Sequence, residues 1–348
     1  MSYLKELKQG LTMKKSLKYA LIGPGRMGIN YALTIQKQSN NSLVAICGNR
    51  KKSTIKRTSD FSVPLYFNGD WKSMFDDHPE IDCVIIASPE WEHFEPLNYC
   101  IDNNKKVILE KPVAINYRQI QSLKKLAFSK NQNSIAVCFT SRFDPRLNFV
   151  KKRINSGELG KIGYIYSRRN ADVKTIDRIY SKMPIPFWLI VHDIDIMRYL
   201  TNSEVISVSA SQKEIDKKRV VLTASLSFKN GTEGVIESTC FTDDATNSKA
   251  TALDIELEKG KFEINFSQSG VELFKANNSY ERPDLSDFQI VHEEIIGNTP
   301  AMINHFTNSF ELNKTPATTF YDGWMAAKIS EAIDKSIKKQ KKIEITYE

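Results

Sequence analysis

The apolar positions of the chain follow two rhythms. In the first third, short apolar runs alternate with amphipathic stretches of helical period. KYALIG (18–23), SLVAICG (42–48), PLYF (64–67), IDCVIIAS (81–88), KVILEKP (106–112) and SIAVCFTSRF (134–143) read as strands. RMGINYALTIQKQ, a charged segment from Lys51, EHFEPLNYCIDNNK and YRQIQSLKKLAFSK read as the helices between them. IDCVIIAS is a continuous apolar run, as in strands buried on both faces of a parallel sheet. Strands separated by crossover helices predict βαβ units and a doubly wound α/β sheet.

After about residue 150 the rhythm changes. A helix (PRLNFVKKRINSGEL) leads to the strand KIGYIYSRRNAD, then a loop over 173–187, then a helix around WLIVHDIDIMRYL. VISVSASQK, VVLTASLSF, TEGVIESTC, ATALDIEL, GKFEINF and GVELFKA follow as strands with few helices between them. This predicts an open, mostly antiparallel sheet with helices on one face, closed by two helices at about 298–313 and 322–338. The expected division is an extension at 1–16, a Rossmann domain at 17–143 and an α+β substrate-binding and oligomerisation domain at 144–348. The C-terminal helices are expected to pack back on the Rossmann domain. No low-complexity linker separates the two, which predicts a shared rigid cleft.

At 348 residues the chain is too long for one ordinary core. No run reaches the roughly 18 apolar residues of a membrane span. The first residues lack the apolar region of a secretory signal, and Met13 is a candidate start. Five scattered cysteines, mostly in apolar runs and with no Cys-x-x-Cys, predict buried thiols in the cytoplasm, with neither disulfide nor metal site. The net charge of +8 is spread apart from 51–57 and 335–342, which argues against a nucleic-acid partner.

Candidate chemistry begins at Gly23-Pro24-Gly25-Arg26-Met27-Gly28, a G-x-G-x-x-G between a strand and a helix. Gly23 permits the tight turn, Gly25 lets the backbone approach a pyrophosphate, and Gly28 lets helix and strand pack closely. The second strand ends Cys47-Gly48-Asn49-Arg50, without the acid that would hold a ribose 2′-hydroxyl. Arg50, with Lys51 and Ser53, offers donors for a 2′-phosphate, so NADP(H) is expected over NAD(H). The alternative is that Arg50 stacks on adenine or is simply solvated. On this reading Gly48→Asp should push preference toward NAD(H).

Further along stand Ser88-Pro89 with His93, Glu110-Lys111-Pro112, Arg142-Phe143, Gly157–Ile162 and His192-Asp193-Ile194-Asp195. With GPGRMG and the C-terminal PATTFYDGWMAAK these resemble, in order over 17–348, the Gfo/Idh/MocA oxidoreductases, the family of glucose–fructose oxidoreductase and inositol dehydrogenases. The resemblance implies hydride transfer between nicotinamide and a hydroxyl or carbonyl carbon of a sugar, cyclitol or derivative. It implies a strained or cis peptide before Pro112 that aims Lys111 at the nicotinamide ribose and the reacting hydroxyl. His192 would take the hydroxyl proton. Ser88, Pro89, His93 and Glu110 would border the cofactor. The resemblance also implies a homo-oligomer, dimer or tetramer, built on the open sheet face.

One departure stands out. Many family members carry Asp four residues before the histidine, where this chain has Trp188. A helix turns by about 100° per residue, so Trp188, His192 and Asp195 would share a stripe. Asp195 is therefore expected to replace the lost carboxylate, and Trp188 to wall the substrate pocket. Trp91 would pack on nicotinamide or on the next helix. Arg168, Arg169 and Asn170 would either face the cleft and bind substrate oxygens, a phosphate or a carboxylate, with Arg169 on substrate, or lie on the outer sheet face. The missing acid motivates a runner-up: a catalytically silent NAD(P)-binding sensor of the same fold.

Overall fold

The computed structural model describes residues 16–129, 133–179, 182–216, 219–241, 251–268, 270–274, 280–281 and 283–347. The predicted extension at 1–16 therefore lies outside the described residues except for Ser16.

Six strands form the first sheet: β1 (Lys18–Ile22), β2 (Ser42–Cys47), β3 (Leu65–Tyr66), β4 (Cys83–Ile86), β5 (Lys106–Leu109) and β6 (Ile135–Val137). All pairs are parallel, in the order β3-β2-β1-β4-β5-β6. β4 is buried along its whole length, as its apolar run requires. Helices α1 (Arg26–Gln36), α2 (Lys51–Arg57), α3 (Trp71–Asp77), α4 (Phe94–Asp102) and α5 (Tyr117–Ala127) form the crossovers. The sequence pattern missed α3; its start is fixed by Asp70, which accepts the Ser73 N–H. The strand order reverses between β1 and β4, the place where doubly wound sheets open a crevice at the strands' carboxyl ends.

After β6 a 3₁₀ turn (Thr140–Phe143) and α6 (Pro145–Asn155) lead to β7 (Ile162–Arg169). The expected loop at 173–187 instead holds α7 (Val173–Ile179) and the single turn α8 (Ile185–Trp188). Val173, Ile176 and Ile179 recur every three residues and are buried, which is why this segment winds up. The helix expected from Trp188 breaks at Leu189–Ile190, and α9 (Val191–Thr201) begins anew behind an Ile190 N-cap.

The second sheet contains β8 (Val205–Glu214), β9 (Val220–Phe228), β10 (Glu233–Cys240), β11 (Thr251–Leu257) and β12 (Gly260–Asn265). With β7 and the short β17 (Ile343–Glu344) its order is β12-β11-β7-β10-β9-β8-β17, antiparallel except for β7 with β10. Two small hairpins pair β13 (Leu273–Phe274) with β14 (Tyr280–Glu281), and β15 (Gln289–Val291) with β16 (Glu294–Ile296).

Two final helices, α10 (Asn298–Glu311) and α11 (Phe320–Lys339), return to the first domain. Trp324 of α11 is fully buried and donates its indole N–H to Ile120 O at 2.8 Å. Thr318 Oγ1 donates to Val137 O at 2.7 Å. One apolar core runs from the Rossmann sheet through α9 and α11 into the second sheet. Among the described residues no helix is long and apolar enough to cross a membrane.

Candidate active site

The loops at the carboxyl ends of the parallel strands carry the glycine motif. Gly23 has φ +96, and a Cβ there would lie 2.3 Å from Ser88 N. A Cβ at Gly28 would lie 2.2 Å from Gly23 O and 3.2 Å from Leu21 Cδ1, so glycine is what lets α1 close on β1. A Cβ at Gly25 meets nothing within 4 Å. Gly25 also caps α1 without a side-chain hydrogen bond, which leaves the helix N-terminus facing open space. Beside this turn the Ser88 hydroxyl oxygen is buried without a partner. Open space over Gly25, an uncapped helix end and an orphaned hydroxyl fit a diphosphate-bearing dinucleotide.

Other sequence-predicted cofactor residues have more specific places. Arg26 is exposed, and Met27 packs its side chain into the core beneath α1, leaving only its backbone to the turn. Asn49 Nδ2 donates to Glu92 Oε2 at 2.7 Å, while Arg50 is exposed at the start of α2. Gly48 is not a charge-selecting position. A Cβ there would lie 2.2 Å from Thr54 Oγ1 and 3.0 Å from Pro24 Cγ, so Gly48→Asp would disrupt packing rather than switch preference. The sequence reading missed Arg57, whose Nη1 reaches Pro24 O at 3.4 Å, and Glu92.

His93 is 1% exposed and packs between the loops at the strand ends. Its Nδ1 lies 3.1 Å from Pro112 O and its Nε2 2.9 Å from Ser88 O. The ring lies between the loops after β4 and β5, with one nitrogen facing a carbonyl of each. Glu110 is likewise a support: its carboxylate accepts from the Tyr31 hydroxyl and, at 3.2 Å, from the Lys111 N–H. Burial pushes its carboxyl pKa up. The Lys111–Pro112 peptide is cis.

Lys111 reaches the second domain, where its Nζ lies 3.4 Å from the carbonyl oxygen of Trp188. His192 sits one turn later, in the first turn of α9, with its ring edge-on to Phe139 at 6.4 Å. Burial, then Lys111, then Arg169 hold its imidazole well below the ordinary value. A helix N-terminus also disfavours a cation there. That direction favours the neutral ring.

Asp195 corrects the expected relay. Its carboxylate is fully buried and takes both Arg142 Nε (2.9 Å) and Nη2 (2.6 Å). Arg142 also bonds Asp322 (3.0 Å) and Ala317 O (3.1 Å) and stacks over Tyr199. Trp188 and His192 are on different helical segments, so the continuous stripe does not exist, and the carboxylate at i+3 belongs to Arg142. Trp188 itself is half-buried against the main core. Trp91 lies under Lys182 Nζ of the second domain at 5.8 Å.

Arg168 and Arg169 face opposite sides of β7. Arg169 Nε bonds Asp193 Oδ2 at 2.6 Å, and Ser167 Oγ bonds Asp193 Oδ1 at 2.6 Å. Asn170 accepts the Thr239 N–H at 3.1 Å and is structural. Lys111 and Arg169 both lie close enough to His192 for their charges to act on its ring. Among the described residues no cluster of side chains could hold a metal ion.

Comparison with known proteins agrees with this fold. Residues 17–138 match the family model described as oxidoreductase family, NAD-binding Rossmann fold, and residues 147–263 match the GFO/IDH/MocA C-terminal domain. An uncharacterised oxidoreductase, YrbE, of Bacillus subtilis is 25% identical, over 93% of this chain and 95% of its own. An inositol 2-dehydrogenase of Rhizobium meliloti is 22% identical, over 95% and 99% respectively. The fold matches the crystal structure of a myo-inositol 2-dehydrogenase from Lactobacillus plantarum with a TM-score of 0.80 at 22% identity, covering 95% of this chain and 100% of that one. It also matches a scyllo-inositol dehydrogenase from Lactobacillus casei, solved with NAD(H) and scyllo-inositol, with a TM-score of 0.75 at 20% identity, covering 95% and 99%.

Proposed function

From the premise that this chain belongs to the Gfo/Idh/MocA oxidoreductase family, with its NAD-binding Rossmann fold, we propose that it oxidises a CH–OH group of a sugar, cyclitol or related polyol. The observation that carries this is Lys111 of the first domain, bonded through Nζ to the Trp188 carbonyl four residues before His192, with its charge acting on that histidine's ring. The nicotinamide, when bound, supplies the two-electron acceptor.

The chain's own residues do the rest. The backbone of Gly23–Gly28 and the Ser88 hydroxyl hold the diphosphate. Pro89 and the loops after β4 and β5 keep water from the ring side of the crevice. Lys111 donates to the reacting oxygen and stabilises the negative charge that grows on it. His192, neutral and desolvated, takes the hydroxyl proton at a ring nitrogen. No carboxylate orients the imidazole among the described residues; the peptide geometry of the α9 start and the Phe139 ring hold it instead. Asp195 works behind the site as a positioning residue.

The cofactor we assign is NADP(H), favoured over NAD(H). Arg50 and the nearby Arg57 supply cations where the usual acid is missing. The carboxylate of Glu92 beside Asn49 is the one observation favouring NAD(H). A charge-assisted contact to the 2′-phosphate is worth roughly 1.5–3 kcal/mol, or about 10- to 150-fold in affinity. Calorimetric titration of both oxidised cofactors tests this; equal or NAD-favouring constants would reverse the assignment. Five buried free thiols support a cytoplasmic protein. The uncovered face of the second sheet, with Tyr164, Thr223 and Ser225 exposed, is the surface we assign to self-association as a dimer or tetramer.

The reaction is tested by following reduced-nicotinamide absorbance with a panel of polyols. Turnover supports the dehydrogenase. Tight cofactor binding without transfer to any polyol would favour the silent sensor.

A further inference from the structure

Resting on the dehydrogenase reading, the geometry points to a substrate that carries a carboxylate, such as a uronate or aldonate, which Arg169 binds through its two Nη groups.

Three observations combine. The first is how Arg169 is held. Asp193 is fully buried, and its two oxygens are taken by Ser167 Oγ and Arg169 Nε, each at 2.6 Å. This fixes the guanidinium by one edge. Among the described residues neither Nη group has a hydrogen-bond partner, and the side chain is 15% exposed. A guanidinium held by Nε presents the paired Nη donors that match a planar carboxylate.

The second is where that donor pair stands. Asp193 is the residue after His192, so Arg169 is bonded to the helix turn that carries the general base. Lys111 is bonded to Trp188 O on the other side. The reacting carbon sits between Lys111 and His192, and the carboxylate then lies a short distance along the substrate, at Arg169.

The third is charge. Lys111 and Arg169 both repel a proton from His192. The position that would add a carboxylate one turn before the histidine is Trp188, and Asp195 is fully occupied by Arg142. Glu110 is drawn into the Tyr31 bond, with its pKa pushed up by burial. A substrate carboxylate at Arg169 also stabilises the imidazolium formed as His192 takes the proton.

The test compares matched pairs on the NADP-loaded full chain: D-glucuronate with D-glucose, D-galacturonate with D-galactose, and D-gluconate with sorbitol. Two readouts are used, kcat/KM for nicotinamide reduction and substrate binding followed by intrinsic tryptophan fluorescence. One charge-assisted pair predicts that acids exceed their neutral counterparts by about 10- to 150-fold. In Arg169→Gln the ratio of acid to neutral collapses toward one, and Arg169→Lys restores part of it. Equal or better use of the neutral partners by the wild-type protein overturns the proposal while leaving the dehydrogenase intact. So does an Arg169→Gln loss that falls equally on acids and neutrals, since that marks a purely structural arginine. A hexose phosphate that outperforms glucuronate overturns the carboxylate assignment. If no compound is oxidised, the dehydrogenase reading fails, and the fluorescence titration still decides this one: acids that do not bind, or bind no better than neutrals, refute it. The wild-type comparison needs no variant, so misfolding of Arg169→Gln does not rescue the idea.

Discussion

Replacing Asp195 separates two roles that the sequence could not tell apart. Asp195→Ala removes the acceptor of two Arg142 hydrogen bonds, at 2.9 and 2.6 Å, in a site where both partners are almost wholly buried. Breaking a buried ion pair by removing one partner costs about 3–5 kcal/mol. Arg142 keeps Asp322 and the Ala317 carbonyl, so the lower end, about 3 kcal/mol, is expected. The loss should appear in urea denaturation followed both by far-UV circular dichroism and by tryptophan fluorescence. Arg142→Ala should cost a similar amount, and the double variant should fall short of the sum by about 0.5–3 kcal/mol, because the two residues share one interaction. The pH profile of kcat should keep its inflection in Asp195→Asn, since the carboxylate does not touch the imidazole. Undiminished stability together with a shifted inflection would refute this reasoning and return Asp195 to the relay.

Gly25→Val should weaken dinucleotide binding in calorimetry without unfolding, because no protein atom lies within 4 Å of the new Cβ; Gly28→Val should instead destabilise the fold, since its Cβ would meet Gly23 O at 2.2 Å. The low pKa of His192 fixes the sign of the pH response: a base held below its ordinary value stays unprotonated to lower pH, so kcat/KM for oxidation should hold its plateau below the ordinary imidazole pKa of about 6.5. An inflection at or above that value would contradict it. Lys111→Ala should lower kcat and weaken cofactor binding together, as read from kinetics and titration side by side.

The parallel sheet was legible because continuous apolar runs and interposed helical periods have few other solutions, and GPGRMG fell at a strand end where only a turn fits. Lys111 and His192 were picked out through the residues around them. What stayed hidden depended on partners distant in sequence. Nothing in the spacing shows that Arg142 takes Asp195, or that Tyr31 takes Glu110. The break at Leu189–Ile190 was also illegible, because apolar residues continue through it; the Pro184-Ile185-Pro186 start of α8 was the available warning of a separate turn. Glycine at position 48 looked like a choice of charge and is a matter of room beside Thr54.

The most direct test of the whole account is a single-turnover experiment with purified protein, saturating NADP and an oxidisable sugar acid, comparing the wild type with His192→Ala. Losing a positioned general base costs about 10²–10⁴ in rate. The account predicts a fall of that order in the reduced-nicotinamide signal, with cofactor affinity nearly unchanged; a His192→Ala rate within about twofold of wild type would contradict it, because proton transfer would then be done by a group other than this histidine.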